Sequence, residues 1–219
     1  MKTILLSVVC LFAISMAYAQ EDDNEMKTIF GSPKNVSHGG FGAVSVGYSN
    51  IMNRDALLMG ARGAWVVNHN FALGVGGYGF MTDPKNDVRL NNEQYEIGGG
   101  YGGFIIEPIV GAKKPIHLSF PLLIGAGGIV YDKNWRDKDY EENVDTYEDS
   151  DAFFVIEPGV EVELNMLKFM RVALSVSYRY TTDINLNYKE STTPTPTAIG
   201  PESMLRGFNY GMIFKFGKF

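Results

Sequence analysis

Apolar and polar residues alternate along most of this 219-residue chain with the two-residue period of a β-strand. The pattern is clearest near the end of the chain, where large apolar side chains occupy every second position: Phe208, Tyr210, Met212, Phe214 and Phe216. A helix would instead repeat its apolar face every three or four residues. The last stretch is therefore predicted to be a strand with one apolar face and one face of small or polar residues.

Eight segments show this period and predict an all-β fold of eight antiparallel strands. In most of them one parity carries large apolar side chains, and the other carries Gly, Ala, Ser or a charge. The predicted strands are residues 40–48, 56–67, 71–81, 94–106, 117–131, 152–164, 169–180 and 205–216. An apolar face on every strand fits either a soluble β-sandwich or a barrel whose outer face meets lipid.

Two tight turns test this assignment of faces, because paired residues of a hairpin point to the same side of the sheet. A three-residue turn after the second strand places Val67 opposite Phe71, which are both apolar. A three-residue turn after the sixth strand places Glu163 opposite Arg171. The second pairing brings opposite charges together on the polar face, which supports the assignment.

Charged residues share the polar face of the strands. They are Arg62, Glu96, Glu157, Glu161, Glu163, Arg171 and Arg179. In the fourth strand this places Glu96 on the polar face and Tyr95, Ile97, Tyr101 and Ile105 on the apolar one. Arg or Lys facing lipid at the membrane midplane costs about 2–4 kcal/mol, whereas an eight-stranded barrel is just wide enough for side chains to fill. We therefore expect a network of neutralising charges in the lumen, with Glu157 diagonal to Arg179.

The connections between the predicted strands alternate in length. Those after the second, fourth and sixth strands are short or moderate, whereas residues 81–93, 132–151 and 181–203 are long and polar. The first connection, residues 49–55, is a short exception. Short turns on one side and long loops on the other are typical of transmembrane barrels, with the turns in the periplasm and the loops outside. We therefore expect residues 181–203 to be an exposed loop.

The beginning of the chain has the pattern of an export signal. Lys2 precedes an apolar run, and the small residues Ala17 and Ala19 form a cleavage site. We expect residues 1–19 to be a cleaved signal peptide, residues 20–38 a polar N-terminal segment and residues 39–219 the barrel domain. The only cysteine, Cys10, lies inside the signal. The mature chain is therefore expected to have neither a disulfide nor a thiolate metal site.

Strand number, topology and closing strand resemble the small outer-membrane β-barrels of the OmpA/OmpX class, over the whole predicted barrel domain. In such barrels a terminal Phe is part of the signal read by the barrel-assembly machinery. Here Phe214, Phe216 and Phe219 are the matching residues, although Phe219 is out of phase with the other two. The resemblance implies an exported, monomeric, eight-stranded up-and-down transmembrane barrel in contact with outer-membrane lipid. It also implies a non-enzymatic role, structural or surface-binding, through ligands at the long extracellular loops.

Other functions stay open at this point. A charged lumen would suit a small channel or transport barrel. A lipid-modifying enzyme would need Ser and His near the outer leaflet, but His38, His69 and His117 are all expected on the periplasmic side. A protease built from Glu96 and loop acids would usually need more strands. The pattern assigns no catalytic, cofactor-binding or metal-binding residue, and the net charge of -6 argues against nucleic acid.

The longest acidic segment, residues 132–151, contains nine acidic and three basic residues. Clustered carboxylates are the usual ligands of calcium, but the spacing does not match an EF-hand loop. Trp135, Tyr140 and Tyr147 could instead anchor a partner, since exposed aromatic residues often do so. The segment is otherwise expected to be a solvated surface loop.

Overall fold

The computed structural model describes residues 36–133, 147–189 and 197–219, which form ten β-strands. They are β1 (His38–Ile51), β2 (Arg54–Val67), β3 (Phe71–Thr82), β4 (Lys85–Asp87), β5 (Glu93–Val110), β6 (Ile116–Ser119), β7 (Leu122–Lys133), β8 (Tyr147–Leu167), β9 (Met170–Thr181) and β10 (Gly207–Lys218). In these ranges no helix is long and apolar enough to cross a membrane. The predicted signal peptide, most of the polar segment and the middle of the acidic loop lie outside the described residues.

Antiparallel pairing closes the sheet into a ring. β1 pairs with both β2 and β10, and the chain of pairs continues through β9 and β8 on one side and through β3 and β5 on the other. β6 and β7 together fill the one remaining position, between β5 and β8. The short β4 pairs only with β5, above the ring. The predicted eight-stranded antiparallel barrel is therefore confirmed.

The predicted fifth strand is divided into β6 and β7 at Pro121, which has no N–H to donate to the ladder. The register against both neighbouring strands is nevertheless continuous across the break. The N–H of Phe120 donates to the carbonyl of Pro108 at 2.9 Å, and the N–H of Gly159 donates to the carbonyl of Pro121 at 2.8 Å. The barrel wall therefore stays hydrogen-bonded on both sides of the proline.

Large apolar side chains occur on the outer face of every strand of the ring. In β5, however, the residues predicted to point outward point into the lumen, and those predicted to point inward point outward. Phe104 points outward and is 73% exposed, while Ile97, Tyr101 and Ile105 point inward and are at most 4% exposed. Tyr95 also points inward. The prediction assumed a polar lumen along its whole length. Aromatic and aliphatic side chains in fact fill one half of it, so apolar side chains occur on both faces of β5.

The register between β8 and β9 also differs from the prediction. Glu163 pairs with Ala173 rather than Arg171, because the turn is two residues long, Lys168 and Phe169, and the pairing has an irregularity between Asn165 and Leu167. The net shift relative to the predicted register is two residues. A shift of two leaves every side chain on its original face. The pairing of Val67 with Phe71 across the other tested turn agrees with the prediction.

The barrel has two unlike ends. The short-turn end holds the connections β2–β3, β5–β6 and β8–β9 and the end of β10. The long-loop end holds the β4 hairpin and the connections β7–β8 and β9–β10, together with one tight turn between β1 and β2. In that turn Met52 and Asn53 have φ values of 53° and 56°, as a two-residue hairpin requires.

Two apolar clusters fill the lumen. The larger cluster occupies the half near the long-loop end and includes Phe80, Ile97, Tyr101 and Phe153. The smaller one, near the short-turn end, has eight buried members, and the four that are alanines pack around larger residues such as Phe41. The charged lumen residues pack beside this smaller cluster, since the guanidinium of Arg62 lies 5.8 Å from the centre of the Phe41 ring.

Candidate functional site in the lumen and its cap

Six charged side chains meet in the lumen near the short-turn end, and we call them the charge cluster. They are Arg62 on β2, Glu107 on β5, Glu161 and Glu163 on β8, Arg171 on β9 and Lys215 on β10, each at most 8% exposed. Five strands of the ring contribute, because each places every second residue inside. The three carboxylates and three permanent cations balance in formal charge.

Arg62 forms the best-oriented ion pair of the cluster. Its two terminal nitrogens donate to the two carboxylate oxygens of Glu161 at 2.8 and 2.7 Å. One of these nitrogens also lies 3.5 Å from Glu107. This forked geometry is among the strongest that an arginine forms with a carboxylate. It joins β2 to β8 and β5 across the barrel interior.

Lys215 lies at the centre of the cluster. Its ammonium group bonds to the carboxylates of Glu107 and Glu163 and lies 2.9 Å from that of Glu161. These carboxylates offer oxygens within 4.8 Å of one another, as the ligands of a metal ion would be. The lysine ammonium already fills the position that such an ion would take. We therefore interpret the carboxylates as partners of Lys215 and not as a metal site.

The rest of the cluster surrounds Glu163. Arg171 donates to its carboxylate at 3.3 Å, and the Nε2 atom of His117 lies 3.0 Å from the same oxygen. Ser119, two residues after His117, donates to Glu161 at 3.2 Å. The histidine and the serine thus bind different carboxylates. Within the described lumen they form no nucleophile–base pair, and both are at most 4% exposed.

Glu157 lies apart from the charge cluster and is satisfied by neutral donors. Its carboxylate accepts hydrogen bonds from the hydroxyls of Tyr101 and Ser177 at 2.6 and 2.5 Å, and from the amide of Asn209 at 3.0 Å. The predicted pair with Arg179 is not formed, because these three groups occupy the carboxylate. Glu157 therefore links three strands of the wall without a cation.

Arg179 extends toward the long-loop end. Its Nε donates to the carbonyl of Leu205 at 2.8 Å, and its guanidinium lies 5.4 and 5.5 Å from the ring centres of Phe80 and Tyr101. Aromatic faces stabilise a buried guanidinium through cation–π attraction. Arg179 thus connects the barrel wall to the segment between β9 and β10, which contains Leu205.

Two small cavities, each of about 30 Å³, lie beside Glu157. One reaches Arg62 and Glu161, and the other reaches Asn209. A water molecule needs roughly 10–15 Å³ of such volume, so each cavity has room for about two waters. The described lumen therefore has space for isolated waters beside its polar groups, while the larger apolar cluster fills the part nearer the long-loop end.

The structure places one of the seven predicted lumen charges elsewhere. Glu96 is on the outer side of β5, because its neighbours Tyr95 and Ile97 point inward. In the strand register it lies opposite Asp132 on β7. It is 8% exposed and borders a shallow outer groove near Met81. The inverted face of β5 explains this correction.

Sequence reasoning missed three members or neighbours of the cluster. Glu107 lies one residue beyond the predicted end of its strand, and the correct face of β5 would have placed it inside. Lys215 and His117 have the inward parity, but nothing in the sequence shows which carboxylates they meet. Those contacts depend on how the ring closes.

A structured cap covers the long-loop end, and it consists of the β4 hairpin and the described residues between β9 and β10, 182–189 and 197–206. The segment between β9 and β10 was predicted to be an exposed loop, but Ile184, Leu186, Met204 and Leu205 are 0–4% exposed and belong to the larger apolar cluster. The prediction failed because Thr and Pro dominate the middle of this segment and conceal the apolar residues at its ends. Residues 190–196 lie outside the described part.

Hydrogen bonds fasten this segment to the barrel. The backbone N–H groups of Asn185 and Asn187 donate to the carboxylates of Asp151 and Asp149, each at 2.7 Å. The N–H of Lys189 donates to Glu148 at 3.0 Å. Acidic side chains at the start of β8 thus take the place of a neighbouring strand.

Asp87 joins the β4 hairpin to the rest of the cap. It accepts hydrogen bonds from the hydroxyls of Tyr131 and Tyr188 at 2.7 and 2.6 Å. Burial alone would raise the pKa of Asp87, but the bonds from Tyr188 and Tyr131, the N–H of Arg89 and the charge of Arg54 together lower that pKa. Burial and the same bond raise the pKa of Tyr188 to about 12. Asp87 therefore remains charged at neutral pH and holds two tyrosines over the barrel mouth.

The three predicted assembly-signal residues do not share a face. Phe216 lies on the outer face and is 46% exposed, and Phe214 has the same parity. Phe219 turns inward at the short-turn end, where its ring stacks on Phe41 at 5.6 Å and lies 3.9 Å from the guanidinium of Arg171. Phe219 therefore packs against the charge cluster from the side of the short-turn end.

Comparisons with known proteins support the same architecture. No protein-family model matches the chain, and no curated protein matches its sequence. The crystal structure of Neisserial surface protein A is similar with a TM-score of 0.52 at 7% identity, covering 85% of this chain and all of that one. The chain has the fold of a small outer-membrane β-barrel.

Two further solved structures overlap less well. The N-terminal β-barrel domain of Pseudomonas aeruginosa OprF gives a TM-score of 0.42 at 10% identity, covering 82% of this chain and 96% of that one. The attachment invasion locus protein Ail of Yersinia pestis, in complex with the heparin analogue sucrose octasulfate, gives 0.42 at 11% identity, covering 83% and 97%.

Proposed function

We propose that this protein is a non-enzymatic outer-membrane barrel that presents the cap at the cell surface, in a structural or surface-binding role. The observation that carries the proposal is the combination of a filled lumen with an ordered cap. A lumen filled by packed side chains serves stability, whereas a cap held by specific hydrogen bonds offers a defined surface to a partner.

The outer face supports a location in lipid. Large apolar side chains such as Met59, Val75, Phe104 and Leu174 are 56–73% exposed, and similar residues occur around the whole ring. A soluble protein rarely exposes so continuous an apolar surface. The strands of the ring also exceed the 9–11 residues that cross a bilayer at the usual tilt. We expect the membrane lipid to cover this band.

The filled lumen weighs against the alternative of a small channel. Ions would have to pass the larger apolar cluster, into which Ile184 and Leu205 of the cap are packed. The protein in planar lipid bilayers should therefore show no single-channel steps, and Glu157→Gln should create none. Stepwise currents that change when Glu157 is neutralised would favour the channel instead.

Labelling of single cysteines tests the location and the orientation together. The only natural cysteine, Cys10, is in the predicted signal, so an introduced cysteine would be alone in the mature protein. Val88→Cys on the β4 hairpin is the test variant, since Val88 is 85% exposed. Lys113→Cys, in the exposed β5–β6 turn, is the matched control at the opposite end.

A membrane-impermeant maleimide should label the Val88→Cys variant in intact cells. It should label the Lys113→Cys variant only after the outer membrane is permeabilised. Labelling of Lys113→Cys alone in intact cells would mean that the barrel is inverted. Labelling of neither variant before permeabilisation would place the cap inside the envelope, and either result would overturn the proposal.

A further inference from the structure

We propose that the short-turn end binds the headgroups of anionic phospholipids through four exposed lysines, which we call the lysine arc. They are Lys113, Lys114, Lys168 and Lys218. Binding of the lipid follows from the geometry of this end alone. Its assignment to the periplasmic leaflet rests on the orientation proposed above.

Two hydrogen bonds to backbone carbonyls hold the elements that carry the arc side by side. The side-chain amide of Asn165 donates to the carbonyl of Lys114 at 2.7 Å, which holds the β5–β6 turn against the end of β8. Lys168 follows three residues later. The N–H of Gly217 donates to the carbonyl of Phe169 at 2.9 Å, which holds Lys218 beside the β8–β9 turn. The four lysines therefore lie on neighbouring elements along one part of the rim.

No exposed acidic side chain opposes the arc among the described residues of this end. Its acidic side chains, Glu107, Glu161 and Glu163, are buried and paired within the charge cluster. The long-loop end differs, because acidic residues such as Asp83, Glu93 and Asp183 are exposed there. The described side chains of the short-turn end thus carry an excess of positive charge, which fits an anionic partner.

Apolar side chains beside the lysines favour a lipid over a soluble anion. Ile116, Leu167, Phe169 and Phe216 are 46–61% exposed, and each lies within two residues of a lysine of the arc. Such side chains meet acyl chains while the neighbouring ammonium groups extend to the level of the phosphates. A soluble polyanion would engage the charges and leave the apolar side chains in water.

The chain carries a natural fluorescent probe for this surface. Trp65 is 49% exposed on the outer face and pairs with Gly40, which in turn pairs with Lys218. Trp65 therefore lies at the height of Lys218, two strands and roughly 10 Å away. The sequence has two tryptophans, so Trp135→Phe leaves Trp65 as the only one.

The experiment compares two brominated lipids as quenchers of Trp65 in phosphatidylcholine bilayers. Brominated phosphatidylglycerol should quench at a lower mole fraction than brominated phosphatidylcholine, and this preference should weaken as salt is added. Each lysine near an anionic membrane surface contributes about a fivefold preference. The variant with Lys168→Gln and Lys218→Gln should therefore lose most of the preference, and the variant with all four lysines replaced should lose all of it.

The control variant combines Lys85→Gln and Lys189→Gln at the long-loop end and should keep the preference of the parent protein. Equal quenching by the two lipids, or a preference that survives in the four-lysine variant, would overturn the proposal. So would sedimentation with purified peptidoglycan that depends on the arc, if no lipid preference accompanies it. Both leaflets of these vesicles contain the same lipids, so the outcome is independent of the orientation tested by cysteine labelling.

Discussion

Replacing Lys215 with methionine should be one of the most damaging single changes in the barrel. The lysine is 1% exposed and contacts Glu107, Glu161 and Glu163. Methionine fills a similar volume without the charge. The variant would keep three buried carboxylates with only Arg62 and Arg171 as permanent cations, which leaves one negative charge uncompensated. Glu107 would suffer most, since its remaining cation, Arg62, is 3.5 Å away.

Removing one partner of a buried ion pair typically costs about 3–5 kcal/mol, because the other charge stays buried and unpaired. We expect Lys215→Met to lower the free energy of unfolding by this amount. Adding Glu107→Gln should restore the charge balance at two against two and recover at least about 2 kcal/mol of it. Lys218→Met, on the same strand but exposed, should change stability by no more than about 0.5 kcal/mol.

The assay is equilibrium unfolding in urea of protein refolded into lipid vesicles, followed by tryptophan fluorescence. If Lys215→Met costs less than about 1 kcal/mol, or if adding Glu107→Gln makes the protein less stable still, the charge cluster does not stabilise the barrel as its geometry indicates.

Three further predictions follow from other parts of the molecule. Asp87→Asn should loosen the cap at neutral pH. Because the pKa of Asp87 is lowered in the folded protein, its contribution to stability is complete above the usual pKa of about 3.9 and is lost as the pH falls through the lowered pKa. Hydrogen exchange of residues 184–188 should therefore show an acid step in the parent protein and none in the variant. Replacing a fully buried Phe with Ala costs about 3–5 kcal/mol, and Phe219→Ala should lower the free energy of unfolding by less than this because Phe219 is half-buried. A loss near zero in urea unfolding would mean that its contacts with Arg171 and Phe41 do not stabilise the barrel. Gly125→Ala should lower the free energy of unfolding by about 1–3 kcal/mol because the new Cβ would overlap the carbonyl oxygen of Gly102. In the control Gly128→Ala the nearest atom to the Cβ, the carbonyl oxygen of Asp151, is 3.7 Å away, so the cost should be less than about 0.5 kcal/mol. Equal stabilities of the two variants would contradict the close strand contact at Gly125.

The two-residue period predicted most of the fold because the faces of a barrel strand differ in a simple way. Where the lumen is polar, as along β8 with Glu157, Glu161 and Glu163, alternation identifies the inner face directly. In β5 the inner face carries Tyr95, Ile97, Tyr101 and Ile105, so from Ile97 to Ile106 both faces are apolar or small and the pattern carries little information. The glycines of this strand have no side chain to distinguish the two faces, which added to the ambiguity.

The candidate site was less predictable than the fold, because its contacts join residues far apart in the chain. Lys215 meets Glu107 across 108 positions of sequence. Neither residue reveals the other, since only closure of the ring brings β10 near β5. The cap was missed for a related reason: Ile184 and Leu205 are single apolar residues in polar surroundings, and only the open mouth of the barrel gives them a place to be buried.

The proposed functions depend on this chain folding as a closed barrel in a lipid-like environment. Gel mobility of the mature protein refolded in detergent, with and without boiling, tests it most directly when circular dichroism is measured alongside. The unboiled protein should migrate at a different position from the boiled protein and give a β-rich spectrum. A protein that folds equally well without detergent, and whose mobility does not change on boiling, would contradict the assignment of the apolar face to lipid and the functions proposed from it.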